Sequence, residues 1–397
     1  MSARAVGLLA AAMATMAMGL GQPAHALDWQ IDVSPAGELF PALQLSQAPR
    51  TSATDAGDGD GLVSVRIYPC RSASACAGTP GRVRLRIDTP GLRTPAIVET
   101  TRDANTTLIL HPRLDWDVSA LRDLRVARRQ RMQVSLDGET RQVEVRLHPL
   151  DDALYFVREG GDRVDLGWAF AGYVNPHDAV VDEVLALARG IDPDFSTADA
   201  ADPATNLRRV GLVWAALEKH GVRYASGNPA LSQGPQLYSQ RVRLPAETWR
   251  ERRANCIDGS VLIASVLERL GIRTFIVLVP GHAFLRFDTG PDRRDARYLE
   301  TTVLGATTGQ HGGAPDGAGA GTAATHFAAA LAAGEAHWRR VAARLDGHHG
   351  PDYALIDIET ARAYGIIPLV VGRVDGDRSS GHMTGSIRPA AAAGDGN

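Results

Sequence analysis

The chain has 397 residues, of which 44% are hydrophobic, and 42 Lys and Arg stand against 45 Asp and Glu for a formal net charge of -3. That balance excludes a strongly basic nucleic-acid binder. The length exceeds one ordinary domain, so two domains are expected, each with enough apolar residues for a core.

Residues 1–26 read as an export signal, with Arg4 as the positive start, an apolar stretch over 6–20 and the small-x-small site Ala24-His25-Ala26. No later apolar run approaches the roughly 20 residues that span a bilayer. The expectation is therefore no transmembrane segment and a periplasmic or secreted protein, the Ala, Arg and Gly-rich composition pointing to a bacterium.

Residues 27–61 read as an irregular segment, and 51–61, rich in Ser, Asp and Gly, as a linker. Over 62–150 the pattern becomes that of half-buried strands: LVSVRIY at 62–68 and RVRLRID at 82–88 alternate apolar and polar side chains. Strands at 132–136 and 140–147 flank Asp137-Gly138, a two-residue hairpin turn in which both positions need positive φ. The reading is an all-β sandwich domain. Cys70 and Cys76 fall where two of its strands connect. In an oxidising compartment they read as a disulfide, with a free pair or a metal site as the alternatives.

From Tyr173 the period becomes helical. Helices are predicted over 178–189, ended by Gly190, over 207–220, ended by Gly221, and from Cys256 to just before Gly271. The apolar run 274–279 reads as a buried strand, Pro280-Gly281 as a turn, 282–287 as a second strand and 297–302 as a third. Residues 305–324 form a Gly and Ala-rich loop, 328–345 a further helix, 353–371 mixed structure, and 372–397 a disordered tail.

Cys256 is the third cysteine of an exported chain and opens a helix. A helix packed across an antiparallel sheet points its N-terminus at one region of that sheet, where side chains on neighbouring strands stand about 5 Å apart. Cys256, His282 and Glu300 can therefore converge, and such a convergence would have acyl-transfer parts: a thiolate nucleophile at a helix N-terminus, a histidine acid and base, and a carboxylate that orients the imidazole. The Cys256 N–H is an oxyanion donor candidate. Asn255 reads as an N-cap or as a group positioning the acyl oxygen, and Trp249 as cleft wall or core. Asp258, in the first turn, reads as a partner of the helix dipole.

The segments RANCIDGSVLIASVLERLGI at 253–272, VPGHAF at 279–284 and YLETT at 298–302 resemble the core of the transglutaminase-like superfamily. The wider stretch 173–371, including IDIETAR at 356–362, resembles its bacterial members. The resemblance implies an α+β, papain-like domain after the β-sandwich, with Cys256, His282 and Glu300 as the catalytic set. The family's usual third member is Asp, and Glu300 stands in its place.

The function expected is cysteine-dependent acyl transfer or hydrolysis at amide bonds of peptides or proteins through a Cys256 thioester, with a cell-envelope substrate in view and no cofactor. The alternative is a non-catalytic envelope module that uses the same cleft to bind peptides. For a metal, His311, His326, His337, His348 and His349 were weighed. His326 and His337 share a helix face but lie about 16 Å apart along its axis. No spacing matches a structural zinc site, so no metal is expected.

Overall fold

The computed structural model describes residues 27–49, 62–70, 81–159, 162–198, 202–226, 232–233, 236–290, 295–305, 323–345 and 353–370. The expected signal, Cys76, His311, His348, His349, the tail, the whole of the expected linker over 51–61 and most of the Gly and Ala-rich loop lie outside these residues. What is described is a mixed α+β protein with several sheets.

In the N-terminal half a five-stranded sheet runs in the order Glu38–Leu39, Glu139–Leu147, Arg128–Leu136, Arg82–Asp88, Ala96–Thr101. A three-stranded sheet has Val63–Ile67 between Trp29–Val33 and Leu108–Leu110. The Asp137-Gly138 turn has φ of 47° and 93°, as a two-residue hairpin of this twist requires. Alternation carries through to burial: Val83, Leu85 and Ile87 are buried while Arg82, Arg84 and Arg86 are exposed. These residues share one core with Val63, Val65 and Ile67 of the smaller sheet. Each such side chain contributes about 1.5–3 kcal/mol through removal from water.

The segment expected to be irregular after residue 27 departs from that reading, because Trp29–Val33 is a strand paired antiparallel with Val63–Ile67. Its cause is a short period-2 pattern: Trp29 and Val33 are buried and Gln30 and Asp32 exposed. The Trp29 indole N–H donates to Glu139 at 3.1 Å, and the Arg141 guanidinium lies 4.0 Å above its ring.

A four-stranded sheet, in the order Asp162–Asp165, Asp152–Glu159, Leu237–Arg241, Ser232–Gln233, joins chain between the two expected domains to strands inside the second of them, none of them among the predicted elements. Where it meets the N-terminal strands, His148 is buried between Glu38 and Asp152, 2.7 Å from the latter, and stacks on Phe40.

In the C-terminal half, Asp178 caps the helix Ala179–Ile191 and Asp202 caps Pro203–His220, which ends at Gly221 with φ of 93°. The helix Cys256–Arg269, here called the cysteine helix, is buried continuously from Ile257 to Leu267, and its apolar residues all join the main core. It packs on the strands Thr274–Val279 and His282–Asp288 of a sheet ordered Ala296–Leu299, His282–Asp288, Thr274–Val279, Ala354–Asp357. Val279 pairs with His282 across the Pro280-Gly281 turn, where Gly281 has φ of 70°.

The helix Ala323–Leu345 covers the edge strand Ala296–Leu299, removing an exposed edge. Contact is made through small residues. A Cβ on Gly334 would lie 2.5 Å from the carbonyl carbon of Tyr298 and 2.7 Å from the nitrogen of Leu299, and backbone there has nowhere to retreat. Gly334→Ala is therefore expected to lower stability by about 1–3 kcal/mol through overpacking, despite the better helix propensity of Ala. Urea unfolding checks this, and unchanged stability would mean that the helix is not seated on the strand.

Candidate active site

Cys256 stands where it does because of a capping box. The Asn255 side-chain oxygen accepts from the Asp258 N–H at 2.9 Å, and the Asp258 carboxylate accepts from the Asn255 N–H at 3.2 Å. Asp258, 1% exposed, also accepts from the Arg243 N–H at 2.8 Å and its guanidinium at 2.6 Å. These bonds fix the first turn of the cysteine helix. The Cys256 carbonyl accepts from the hydroxyls of Ser260 and Thr301, at 2.7 and 3.0 Å, tying it to the chain that carries Glu300.

Glu300 differs from its expected place on the third strand. That strand stops at Leu299, and Glu300 is the N-cap of a 3-10 turn over Thr301–Val303. The physical reason is local: its Oε1 accepts from the Thr302 N–H at 3.0 Å, turning the chain back, and its own N–H donates to the Ala330 carbonyl at 3.1 Å. The carboxylate is 2% exposed, and its Oε2 lies 2.7 Å from His282 Nε2. Burial pushes the Glu300 carboxyl up, but the hydrogen bond and charge of His282 and the Thr302 N–H outweigh it, holding the group below its ordinary value.

His282 opens its strand immediately after the turn glycine. Burial works against its charged form, yet hydrogen bonds to Cys256 and Glu300 and their charges push it up to about 9. The Tyr224 phenol is raised by burial and by the charges of Cys256 and Glu300, which puts it at the same centre.

One residue of this centre escaped the sequence reading. His337 Nδ1 lies 2.7 Å from the same Oε2 of Glu300 that faces His282, and the two imidazole rings are 5.1 Å apart, edge to face. His326, which shares a helix face with His337, instead bonds Glu218 at 3.0 Å. The signal lay in Ala330, Gly334 and His337, two small residues and a histidine at helical spacing: the small pair lets the helix touch the edge strand, and the histidine then reaches past its end. His282, Glu300 and His337 also each offer one ligand atom within 4.8 Å of the other two.

The other candidates are engaged elsewhere. The Asn255 side chain is taken up by the cap. Trp249, 6% exposed, donates to Glu183 at 2.8 Å and stacks on His220 at 3.5 Å within the main core. Cys70 is disulfide-bonded, while Cys76 lies outside the described residues. A hollow of about 540 Å³ between Ala296–Leu299 and the covering helix is lined by Tyr298, Glu335 and Trp338 among others, and by none of the three catalytic candidates.

No family model matches the chain, and no curated protein matches it. Among solved structures it is similar to "a putative protease" from Parabacteroides distasonis ATCC 8503, with 10% identity and a TM-score of 0.25 over 60% of this chain and 62% of that one. It is also similar to the transglutaminase of red sea bream, with 11% identity and a TM-score of 0.20 over 62% of this chain and 49% of that one. The match thus spans less than two thirds of either neighbour.

Proposed function

We propose that this chain is an exported cysteine-dependent enzyme that transfers or hydrolyses the acyl group of amide bonds in peptides or proteins. The observation that carries the reading is the 2.7 Å pairing of His282 with the buried carboxylate of Glu300, on an imidazole whose proton affinity Cys256 also raises. An N-terminal β-sandwich and a C-terminal transglutaminase-like domain are the matching reading of the fold, with substrates in the cell envelope.

In this reading Cys256 gives its proton to His282 and its sulfur attacks the amide carbonyl carbon. His282 gives its Nδ1 proton to the departing amine, the C–N bond breaks, and a thioester remains. Neutral His282 then takes a proton from water or an incoming amine, which attacks the thioester and frees the sulfur. Glu300 keeps Nε2 protonated and balances the imidazolium charge. A glutamate is one methylene longer than an aspartate and less constrained. Here the Thr302 N–H holds Oε1, and His337 and His282 both stand on Oε2, so the oxygen that serves the catalytic imidazole is fixed from two sides.

Alkylation by iodoacetamide tests that proton transfer directly. Cys256 should react at least about tenfold faster than a thiol peptide at the same pH. His282→Ala should remove the advantage. Labelling no faster than the peptide, unchanged in that variant, would leave a non-catalytic peptide-binding cleft as the better account.

A further inference from the structure

We infer that His282 Nε2, Glu300 Oε2 and His337 Nδ1 form a binding site for a zinc-class divalent ion, and that the ion silences the thiol centre by taking the carboxylate which serves His282. Three observations converge on this ligand. The donor set is two imidazoles and one carboxylate, the kind that zinc takes with a fourth position open to water. A single oxygen among the three gives calcium or magnesium little to hold.

Second, the carboxylate already has the outer partner that a metal ligand needs. Ligating histidines are held through their other nitrogen and ligating carboxylates are themselves hydrogen-bonded. The second oxygen of Glu300 accepts from the Thr302 N–H at 3.0 Å. Third, access is one-sided. The Glu300 side chain is 2% exposed, while those of His282 and His337 are 20% and 35% exposed, so the carboxylate is a floor beneath two imidazoles that solvent reaches.

Tetrahedral zinc places its ligand atoms about 3.3 Å apart. Both nitrogens now stand 2.7 Å from Oε2, so each must open by about half an ångström, a small rotation of partly exposed rings. The ion would replace the proton on Nε2, which passes to solvent. His337 would carry its proton on Nε2, away from the ion. One carboxylate then serves either the imidazolium or the ion.

Binding does not depend on the acyl-transfer reading; the silencing does. The test is titration of the purified full-length chain, stripped of metal, with ZnCl2 by calorimetry and with CoCl2 by visible absorption. Wild type should bind one ion, and Cys256→Ala should bind within about threefold of it, because sulfur is not a ligand. His337→Asn keeps an amide N–H near the position of Nδ1, and so the bond to Glu300, but removes the imidazole. It should bind at least about 100-fold more weakly, beyond what loss of an outer partner costs.

Zinc should also slow iodoacetamide labelling of Cys256 in wild type and not in His337→Asn. No binding up to millimolar ion overturns the site. So does binding lost in Cys256→Ala and kept in His337→Asn, which would assign the ion to sulfur and His282. A chain that binds zinc through His337 yet shows no fast thiol labelling would overturn the enzyme reading and leave the site. Fast labelling without zinc binding would do the reverse.

Discussion

Cys256→Ala should abolish thioester formation and lower turnover by roughly 10⁴-fold or more, the scale on which loss of a nucleophile acts in enzymes of this logic. The fold should survive. The backbone carbonyl of Cys256 accepts from Ser260 and Thr301, and alanine keeps both bonds while losing only the sulfur's part of the packing against the core and its interaction with His282. The capping box that starts the helix belongs to Asn255 and Asp258. Incubation with cell-envelope extract or a peptide library, followed by intact-mass measurement, should show a substrate adduct on wild type and none on the variant. Release of free acid marks hydrolysis, and a new amide marks cross-linking. Equal turnover by wild type and variant would remove Cys256 from the chemistry.

The three segments that build this centre were legible because each has a strong local cause. Asn255 before an apolar helix announces a cap, Pro280-Gly281 between apolar runs announces a hairpin, and Tyr-Leu-Glu-Thr-Thr follows at strand spacing. Their meeting was legible only through helix-on-sheet geometry and the family resemblance. What the chain concealed was set by contacts distant in sequence. Glu300 leaves the strand because its carboxylate finds the Thr302 N–H and its N–H finds Ala330, a helix residue 30 positions away. His337 joins because Gly334 lets a helix lie against backbone, a fit that no period reports. Trp29–Val33 was hidden differently: five residues of alternation carry little signal until Val63–Ile67 pairs with them. The sheet through Leu154 and Val157 was readable as an apolar run, but its partner, Leu237–Arg241, lies some 80 residues on.

Glu300→Gln should cost roughly 10²–10⁴-fold in turnover, the range of a general acid and base placed well or badly, and should also move the pH profile. The sign follows from the forces on His282. Burial favours the neutral ring, and the hydrogen bonds and charges of Cys256 and Glu300 overcome it to reach about 9. Glutamine keeps an acceptor but removes the negative charge, so burial regains weight and His282 loses its proton at lower pH. The alkaline limb of the wild-type rate profile should therefore fall near pH 9, and that of Glu300→Gln should lie well below it. Stability follows the same couple. His282 is raised above its ordinary 6.5, so its contribution is complete below pH 6.5 and lost as pH rises through about 9. Glu300 is held below its ordinary 4.5, so its contribution is present above that value and lost as pH falls through the lowered one. Thermal unfolding of wild type should thus weaken at both ends of that window, and the glutamine variant should show a flatter profile between them. An alkaline limb that stays at pH 9 in Glu300→Gln would show that the carboxylate does not govern His282, and would leave Cys256 alone as the source of its raised proton affinity.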